Sequence, residues 1–291
     1  MRSPRFPARS LLLALLLSAP WFAFAEDTHP LEQRLRDGEG IWLEADGARF
    51  FAIARQAARP NPRGGVLLVG GRGEHPDYPG VMSPVRRELA DQGWLTLALA
   101  RDPDGATDGR LRAGTDWLMD RLEDDSPRIV LLGHGLGGLD LLNALDDTGT
   151  TPHALVLVDV VIPSGDDGEQ ALERLTNAEF PILDIYRRGA PRSVVDTASE
   201  RRRNARRGDN AHYRQDALPG SGRTTTEARA LTRRIQGWLG DPRQERRERK
   251  EWKASNPDPA TRTERRETTR DSEAGGTEDD LRRYFSPPAG D

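Results

Sequence analysis

Residues 129–138, IVLLGHGLGG, join four apolar residues to a turn that contains four glycines and one histidine. This pattern predicts a buried strand that ends in a tight turn before a helix. Two motifs overlap on the turn. The G-x-S-x-G motif, in which a strained strand-to-helix turn presents a nucleophilic serine, matches at Gly133 and Gly137 but has Gly135 in place of the serine. The G-x-G-x-x-G dinucleotide motif matches at Gly133, Gly135 and Gly138.

The first 25 residues have the pattern of a secretory signal peptide. Three arginines precede an apolar run at 11–17, and Ala23-Phe24-Ala25 precedes an acidic start. The apolar run is shorter than the roughly 20 residues that a membrane-spanning helix requires. We therefore predict export with cleavage after Ala25, a periplasmic mature protein and no stable membrane anchor.

Composition limits the remaining possibilities. The chain has no cysteine, so its stability must come from its core. A net charge of -4 gives no reason to expect nucleic acid as a partner. Residues 26–240 are long enough for one α/β domain. From 241 to 291 apolar residues are sparse and charges of both signs alternate, which predicts a disordered tail.

Apolar, strand-like runs alternate with helical stretches along the domain. Asp46-Gly47 is a strong hairpin signal between the first two runs. The predicted strands are 41–45, 49–56, 65–71, 94–100, 128–133, 154–160, 180–186 and 213–219. The predicted helices are 83–93 with Ser83 as N-cap, 109–123, 139–147, 167–177, 197–208 and 225–240. Continuous apolar strands separated by helices predict an α/β fold with a mostly parallel eight-stranded sheet and helices on both faces.

The glycine turn follows the fifth predicted strand, after an antiparallel opening pair and two strand-helix units. This order resembles the α/β-hydrolase fold over nearly the whole domain. Several segments are also similar to an uncharacterised family of exported α/β-hydrolase-like proteins of Gram-negative bacteria. They are GGRGEHPDYPG (70–80), QGWLTLALA (92–100), PILDIY (181–186), NAHYRQDALPG (210–220) and RRIQGWL (233–239).

The resemblance implies a serine, an acid and a histidine at defined places, and this chain departs from all three. Gly135 stands at the serine position, the loop 219–227 contains no histidine, and 187–193 contains no carboxylate. Asp159, after the sixth strand, is a substitute acid that would have nothing to orient. Because triad residues act as a unit, acyl transfer by the usual route is not expected, and no catalytic residue is assigned.

An anion-binding pocket could nevertheless survive at a vestigial elbow formed by Gly133, His134, Gly135, Leu136 and Gly137. Its expected donors are the backbone N–H of Leu136 and one N–H from the 70–75 loop, at Gly71 or Arg72. A pocket with such donors and no nucleophile is a binding site.

Three further polar groups are candidates for this pocket. We expect His134 to be a hydrogen-bonded core residue, and His75 and Asp77 to lie on the overhanging loop, where they could bind ligand. A His-x-Asp pair without further ligands does not predict a metal site. The arginines at 201–203, 206 and 207 are expected to form a solvated helix face.

Three functional hypotheses follow. The first is a periplasmic pseudo-hydrolase that binds a small molecule or a protein partner. The second is an ester hydrolase in which His75, His134 or Asp159 activates water directly. The third is a dinucleotide-binding oxidoreductase that uses the Gly133/Gly135/Gly138 turn and Asp159 for the ribose. Under the first hypothesis we expect neither a cofactor nor a metal.

Overall fold

The computed structural model describes residues 31–35, 39–101, 108–122, 127–145, 151–208, 210, 212–241, 246 and 250. The predicted signal peptide at 1–25 lies outside these residues, as does nearly all of the predicted tail. Among the helices of the described residues, none is both long enough and apolar enough to cross a membrane.

The strands form one eight-stranded sheet in the order β1-β2-β4-β3-β5-β6-β7-β8. Their bounds are β1 Gly40–Ala45, β2 Ala48–Arg55, β3 Gly65–Val69, β4 Leu95–Leu99, β5 Ile129–His134, β6 Ala154–Val158, β7 Ile182–Arg187 and β8 Tyr213–Leu218. Strand β2 is antiparallel to β1 and β4, and the other neighbours pair in parallel. This confirms the predicted mostly parallel sheet.

The helices are α1 Met82–Asp91, α2 Asp108–Met119, α3 Leu136–Asn143, α4 Asp166–Asn177, α5 Arg192–Arg207 and α6 Thr225–Leu239. Apolar residues of α1 and α6 pack together with one face of the sheet. Those of α2, α3, α4 and α5 pack with the other face. Each strand from β3 to β7 is buried at nearly every position, because helices cover both of its faces.

Several predicted helix starts differ from the structure. Helix α3 begins at Leu136, three residues earlier than predicted, and α5 begins at Arg192 rather than 197. Ser83 lies inside α1 and is not its N-cap, because its side chain hydrogen-bonds Asp77 instead. Helix α5 extends in the N-terminal direction because Val194 and Ala198 continue its buried stripe toward the sheet edge.

Three glycines of the β5–α3 turn are required by packing. A Cβ added to Gly133 would lie 2.4 Å from the Cα of Gly138, and one added to Gly138 would lie 2.4 Å from Val160 Cγ2. A Cβ on Gly137 would lie 2.3 Å from the carbonyl oxygen of Gly70. Only glycine permits these approaches, so the strand, the helix and the loop after β3 meet closely around the turn.

Candidate functional site

The turn at Gly135 keeps the backbone shape of an elbow. Gly135 has φ 56° and ψ −122° and lies directly between β5 and α3, at the carboxyl edge of the parallel strands. The left-handed φ favours glycine. A Cβ built on Gly135 would meet only the Cα of Gly71, at 3.7 Å. There is therefore room for a side chain at the nucleophile position, but this chain places none there.

His134, immediately before Gly135, uses both nitrogens of its ring. Nδ1 lies 2.7 Å from Glu74 Oε2, and Nε2 lies 3.1 Å from Arg187 Nη2. A guanidinium can only donate and an ionised carboxylate can only accept. These partners therefore assign the neutral tautomer in which Nδ1–H donates to Glu74 and Nε2 accepts from Arg187. His134 is hydrogen-bonded, as expected, but it is not a core residue, because its side chain is 14% exposed at the end of β5.

Asp159 holds Arg187 in place at the ends of β6 and β7. The backbone N–H of Arg187 donates to Asp159 Oδ1 at 2.7 Å, and its guanidinium Nε and Nη2 both contact Asp159 Oδ2. Both residues are buried. The expectation that Asp159 would have nothing to orient is thus wrong, because it orients Arg187. Glu74, His134, Arg187 and Asp159 form one connected chain, which we call the four-residue network.

One of the backbone N–H groups that we expected to bind an anion already has a partner within the protein. The N–H of Gly71 donates to Glu74 Oε2 at 2.7 Å, so a carboxylate of the protein itself already occupies this donor. Arg72 follows on the same loop with an exposed side chain. The N–H of Leu136 is the first of helix α3 and is one of the N-terminal donors that have no partner within a helix. Of the two residues predicted as alternatives for the second donor, Gly71 and Arg72, the first therefore uses its N–H within the protein.

Asp77 serves the structure of the loop and not the pocket. Its carboxylate lies 2.9 Å from Nη2 of the buried Arg86 and 3.6 Å from Nη2 of Arg87. Burial raises the pKa of Asp77, but hydrogen bonds from Ser83 and Arg86 and the charges of Arg86 and Arg87 outweigh this and bring the pKa below its usual value. The geometry does not support the prediction that Asp77 could bind a ligand, because the guanidinium groups of Arg86 and Arg87 lie against its carboxylate oxygens.

Tyr78 lies beside both histidines of the site. Its ring stacks near that of His134 with a centroid distance of 6.5 Å, and the ring of His75 lies edge-on at 6.4 Å. His75 is exposed, and its Nδ1 accepts a hydrogen bond from the N–H of Asp77 at 3.1 Å. His75 and His134 therefore belong to one surface region, in which each ring contacts Tyr78.

The loop after β8, where the resemblance would place a histidine, is closed by a glutamate. The N–H groups of residues 221–224 all donate to the Glu227 carboxylate, at 2.8–3.3 Å. These hydrogen bonds lower the pKa of Glu227, with the backbone of Thr224 the largest cause. A Cβ on Gly222 would collide with the Arg187 guanidinium, so this loop packs directly on the four-residue network.

A second buried ion pair lies between β7 and α5. Asp184 accepts from Nε and Nη2 of Arg201 at 2.8 and 3.2 Å, and from Tyr213 Oη at 2.6 Å and Gln215 Nε2 at 2.8 Å. Burial and the Asp184 charge raise the pKa of Tyr213, so the phenol stays protonated and donates. The prediction of a solvated arginine face is wrong for Arg201, which is fully buried, and the other predicted arginines on α5 are exposed.

Two members of the four-residue network, Glu74 and Arg187, were not predicted. Arg187 ends β7, where the resemblance led us to look for an acid, and Glu74 lies in the loop after β3. The available signal was an acid directly after β6 and an arginine at the end of β7, because the carboxyl ends of neighbouring parallel strands lie side by side. In the part of the chain that the structure describes, no group of three or more His, Asp or Glu side chains is placed to hold a metal ion.

Sequence comparison identifies the family. A family model described as "Protein of unknown function (DUF3530)" matches residues 23–108 and 107–241. The chain belongs to the DUF3530 family. The predicted resemblance to an uncharacterised family with this fold is thereby confirmed. None of the curated proteins matches the chain in sequence.

Solved structures similar to this DUF3530 chain include several esterases. The esterase domain of a Rhodothermus marinus protein has a TM-score of 0.57 at 15% identity, over 69% of this chain and 96% of that one. Est1E from Butyrivibrio proteoclasticus has a TM-score of 0.56 at 14% identity, over 69% and 97%. A putative dienelactone hydrolase from Klebsiella pneumoniae has a TM-score of 0.54 at 14% identity, over 69% and 97%. At such identities the likeness shows the α/β-hydrolase fold alone.

Proposed function

We propose that this DUF3530 chain is a pseudo-hydrolase: it keeps the α/β-hydrolase fold, carries out no acyl transfer, and binds a small molecule or a protein partner at the carboxyl edge of the sheet. Gly135 offers no oxygen to attack a carbonyl carbon. Loss of the nucleophile from such a site removes most of the rate enhancement, whatever the other groups do.

The observation that carries the proposal is the double engagement of His134. A general base needs a free lone pair within reach of the proton that it removes. The Nε2 lone pair of His134 accepts from Arg187 instead, and Arg187 is fixed by Asp159. The Gly71 donor that would stabilise an oxyanion is bound to Glu74. The Nε2 lone pair of His134 and the N–H of Gly71, one of the two alternatives for the second oxyanion donor, are thus both occupied by the protein's own side chains.

The location forms a separate part of the proposal. The signal-peptide pattern before Glu26 supports export, and we propose a periplasmic mature protein. Mass spectrometry of the processed chain from the periplasmic fraction of a Gram-negative expression host tests this, and we expect an N-terminus at Glu26. Recovery of the unprocessed chain from the cytoplasm would overturn this part alone.

The dinucleotide hypothesis receives no support from the geometry. The glycines of its motif at 133 and 138 are accounted for by contacts between β5, α3 and Val160. Asp159, the acid expected at the ribose, binds Arg187.

An esterase assay separates the pseudo-hydrolase from the ester-hydrolase alternative. The purified mature chain is incubated with p-nitrophenyl esters of short and medium acyl length, beside His75→Ala and His134→Ala variants. We expect hydrolysis at the rate of the buffer in all three. Turnover by the wild-type chain that either substitution abolishes would establish an unorthodox hydrolase and end the pseudo-hydrolase proposal. Arg203→Ala, on the exposed face of α5, is the control for general effects of substitution.

A further inference from the structure

Strand β8 is the last strand of the sheet, and its outer side has unpaired backbone groups. The carbonyl oxygens of His212 and Leu218 accept hydrogen bonds from β7 and from the residue that follows β7. Backbone groups of successive strand residues point to alternate sides, so the even-numbered residues of β8 bond β7 and the odd-numbered residues point outward. The backbone N–H and C=O groups of Gln215 and Ala217 therefore point away from the sheet. No residue that the structure describes hydrogen-bonds these groups.

Helix α5 places two arginines on this outer side. The Ala198 carbonyl accepts a hydrogen bond from the Gln215 side chain at 2.7 Å, so α5 lies above β8. On its inner side α5 meets α4, where the Asn204 carbonyl accepts from a threonine hydroxyl at 3.3 Å. A helix turns about 100° per residue. Arg202 and Arg206 are each two positions from Asn204, so both lie on nearly the opposite side of α5 from α4.

The charge of this side is positive on both faces of the sheet. Arg202 and Arg206 are exposed, and neither forms an ion pair with a residue that the structure describes. On the α6 face, the Nε atoms of Arg214 and Arg234 lie 3.3 and 2.5 Å from Oδ2 of Asp216. Arg214 nevertheless keeps 52% of its side chain exposed. One carboxylate thus faces four guanidinium groups, and we call this surface the basic side of β8.

The carboxylates of α5 do not neutralise the basic side of β8. Glu200 is one turn before Asn204, so it lies on the side of the helix that faces α4. Asp196 precedes Arg202 by six residues, which places it toward the other end of α5 and about 120° around the helix. The charge of Arg202 and Arg206 is therefore available to a partner.

Open backbone groups and positive charge together determine what this surface can bind. An extended segment adds to an open edge strand through main-chain hydrogen bonds, and its side chains then face α5 and α6 alternately. Carboxylates on the α5 face of such a segment would meet Arg202 and Arg206. A second copy of β8 would instead bring its own basic helices beside these arginines, and like charges oppose that pairing. The favoured occupant is an acidic extended segment.

We propose that the basic side of β8 binds an extended acidic segment of a partner protein as a ninth strand, with Asp or Glu at alternate positions facing Arg202 and Arg206. This inference goes beyond the pseudo-hydrolase proposal. That proposal places a ligand at the carboxyl ends of the strands, whereas this surface runs along the side of the sheet. Binding of a peptide to β8 is measured without reference to turnover.

The probe is a synthetic peptide of about eight residues, an ordinary strand length, in which glutamate alternates with threonine. Fluorescence anisotropy of a dye on the peptide reports binding to the full chain, and we expect saturable binding. Two further peptides are N-methylated at every glutamate or at every threonine. One of these should bind at least about ten-fold more weakly than the other, because only its methyl groups replace the N–H groups that face β8. A lysine–threonine peptide is the charge control and should not bind.

Matched variants of the chain decide where the peptide lies. Arg202→Glu with Arg206→Glu should weaken binding at least about ten-fold. Arg203→Glu with Arg207→Glu, also exposed on α5, carries the same change of charge and should leave the affinity within about two-fold. Ala217→Pro removes an outward N–H and leaves the bonds to β7 in place, so it should weaken binding as well.

Hydrogen exchange of the chain alone shows whether the edge is open. The amides of Gln215 and Ala217 should exchange rapidly without the peptide and become protected when it binds. Amides that are already protected would mean that a second copy or another segment of the chain occupies the edge, and would overturn the proposal. Absence of binding, equal affinity of the two charge-reversed variants, or equal affinity of the two methylated peptides would overturn it as well.

Discussion

Two arginine–aspartate pairs in which both residues are buried, Arg201–Asp184 and Arg187–Asp159, serve different purposes in the part of the chain that the structure describes. Arg201 is fully buried, and its partners satisfy all three guanidinium nitrogens. Arg187 lies at the edge of the sheet, connects to His134, and leaves Nη1 without a hydrogen-bond partner among the described residues. The fully satisfied pair joins β7 to α5, whereas the second pair, called the edge pair below, lies at the carboxyl ends of β6 and β7, beside His134 and the turn at Gly135.

The largest loss of stability is expected from breaking the Arg201–Asp184 pair. Arg201→Met leaves the Asp184 carboxylate buried without its cation, and this should lower the free energy of unfolding by about 3–5 kcal/mol. Urea denaturation followed by circular dichroism measures the loss. In an Arg201→Met, Asp184→Leu double variant much of this stability should return, because no unpaired charge remains. A loss below 1 kcal/mol in the single variant would contradict the assigned role.

Breaking the edge pair, Arg187–Asp159, should lower the free energy of unfolding by less than breaking Arg201–Asp184. Arg187→Met leaves Asp159 unpaired, but this carboxylate lies at the edge of the sheet, where water can reach it more readily. We expect about 2–3 kcal/mol by the same measurement, below the range for a fully buried pair. Arg187→Lys should recover only part of the loss, since an ammonium cannot contact both Asp159 and His134 in the manner of a planar guanidinium. Full recovery of stability in Arg187→Lys would show that a single positive charge is sufficient at this position, and would contradict the role given to the guanidinium.

Gly135→Ser tests whether the elbow lacks only its nucleophile. The side chain has room, since the nearest neighbour of the new Cβ is Gly71 Cα at 3.7 Å, but the positive φ becomes strained at about 1–2 kcal/mol. We expect no fluorophosphonate labelling of the variant, because the His134 base is held by Arg187. Gly135→Ala should show the same loss of stability. Labelling of the serine variant would show that His134 can still act as a base.

The smallest effect concerns pH and the loop after β3. The pKa of Asp77 is lower in the folded chain than its ordinary value near 4. Its contribution to stability is therefore complete above the unfolded pKa and is lost as the pH falls through the folded pKa. Stability of the wild-type chain should decrease below about pH 4, and Asp77→Asn should decrease less steeply there. An identical slope in the two chains would mean that Asp77 adds nothing.

The sequence predicted the fold because its evidence is local. Continuous apolar strands, the Asp46-Gly47 hairpin and the place of the glycine turn after the fifth strand were sufficient for the sheet. The glycine at the serine position, Gly135, and the absence of a histidine from residues 219–227 could also be identified directly from the sequence. Each of these features depends only on neighbours in the chain.

The four-residue network was not predictable in the same way. Glu74 and His134 are 60 residues apart, and Arg187 lies 53 residues beyond His134. Their contacts depend on how the loop after β3 returns over the turn at Gly135. For the same reason Arg201 looked like one of several surface arginines, although the burial of Val194 and Ala198 on its helix stripe places it inward.

The state of the His134 ring tests the central claim most directly. Nitrogen-15 NMR of the imidazole at pH 7 distinguishes the two neutral tautomers, and comparison with Glu74→Gln and Arg187→Met variants assigns each partner. The account predicts a single tautomer in which Nδ1 carries the proton and Nε2 accepts a hydrogen bond that the Arg187 substitution removes. A ring with its proton on Nε2, or with Nε2 unbonded in the wild-type chain, would show a histidine free to act as a base and would contradict the pseudo-hydrolase account.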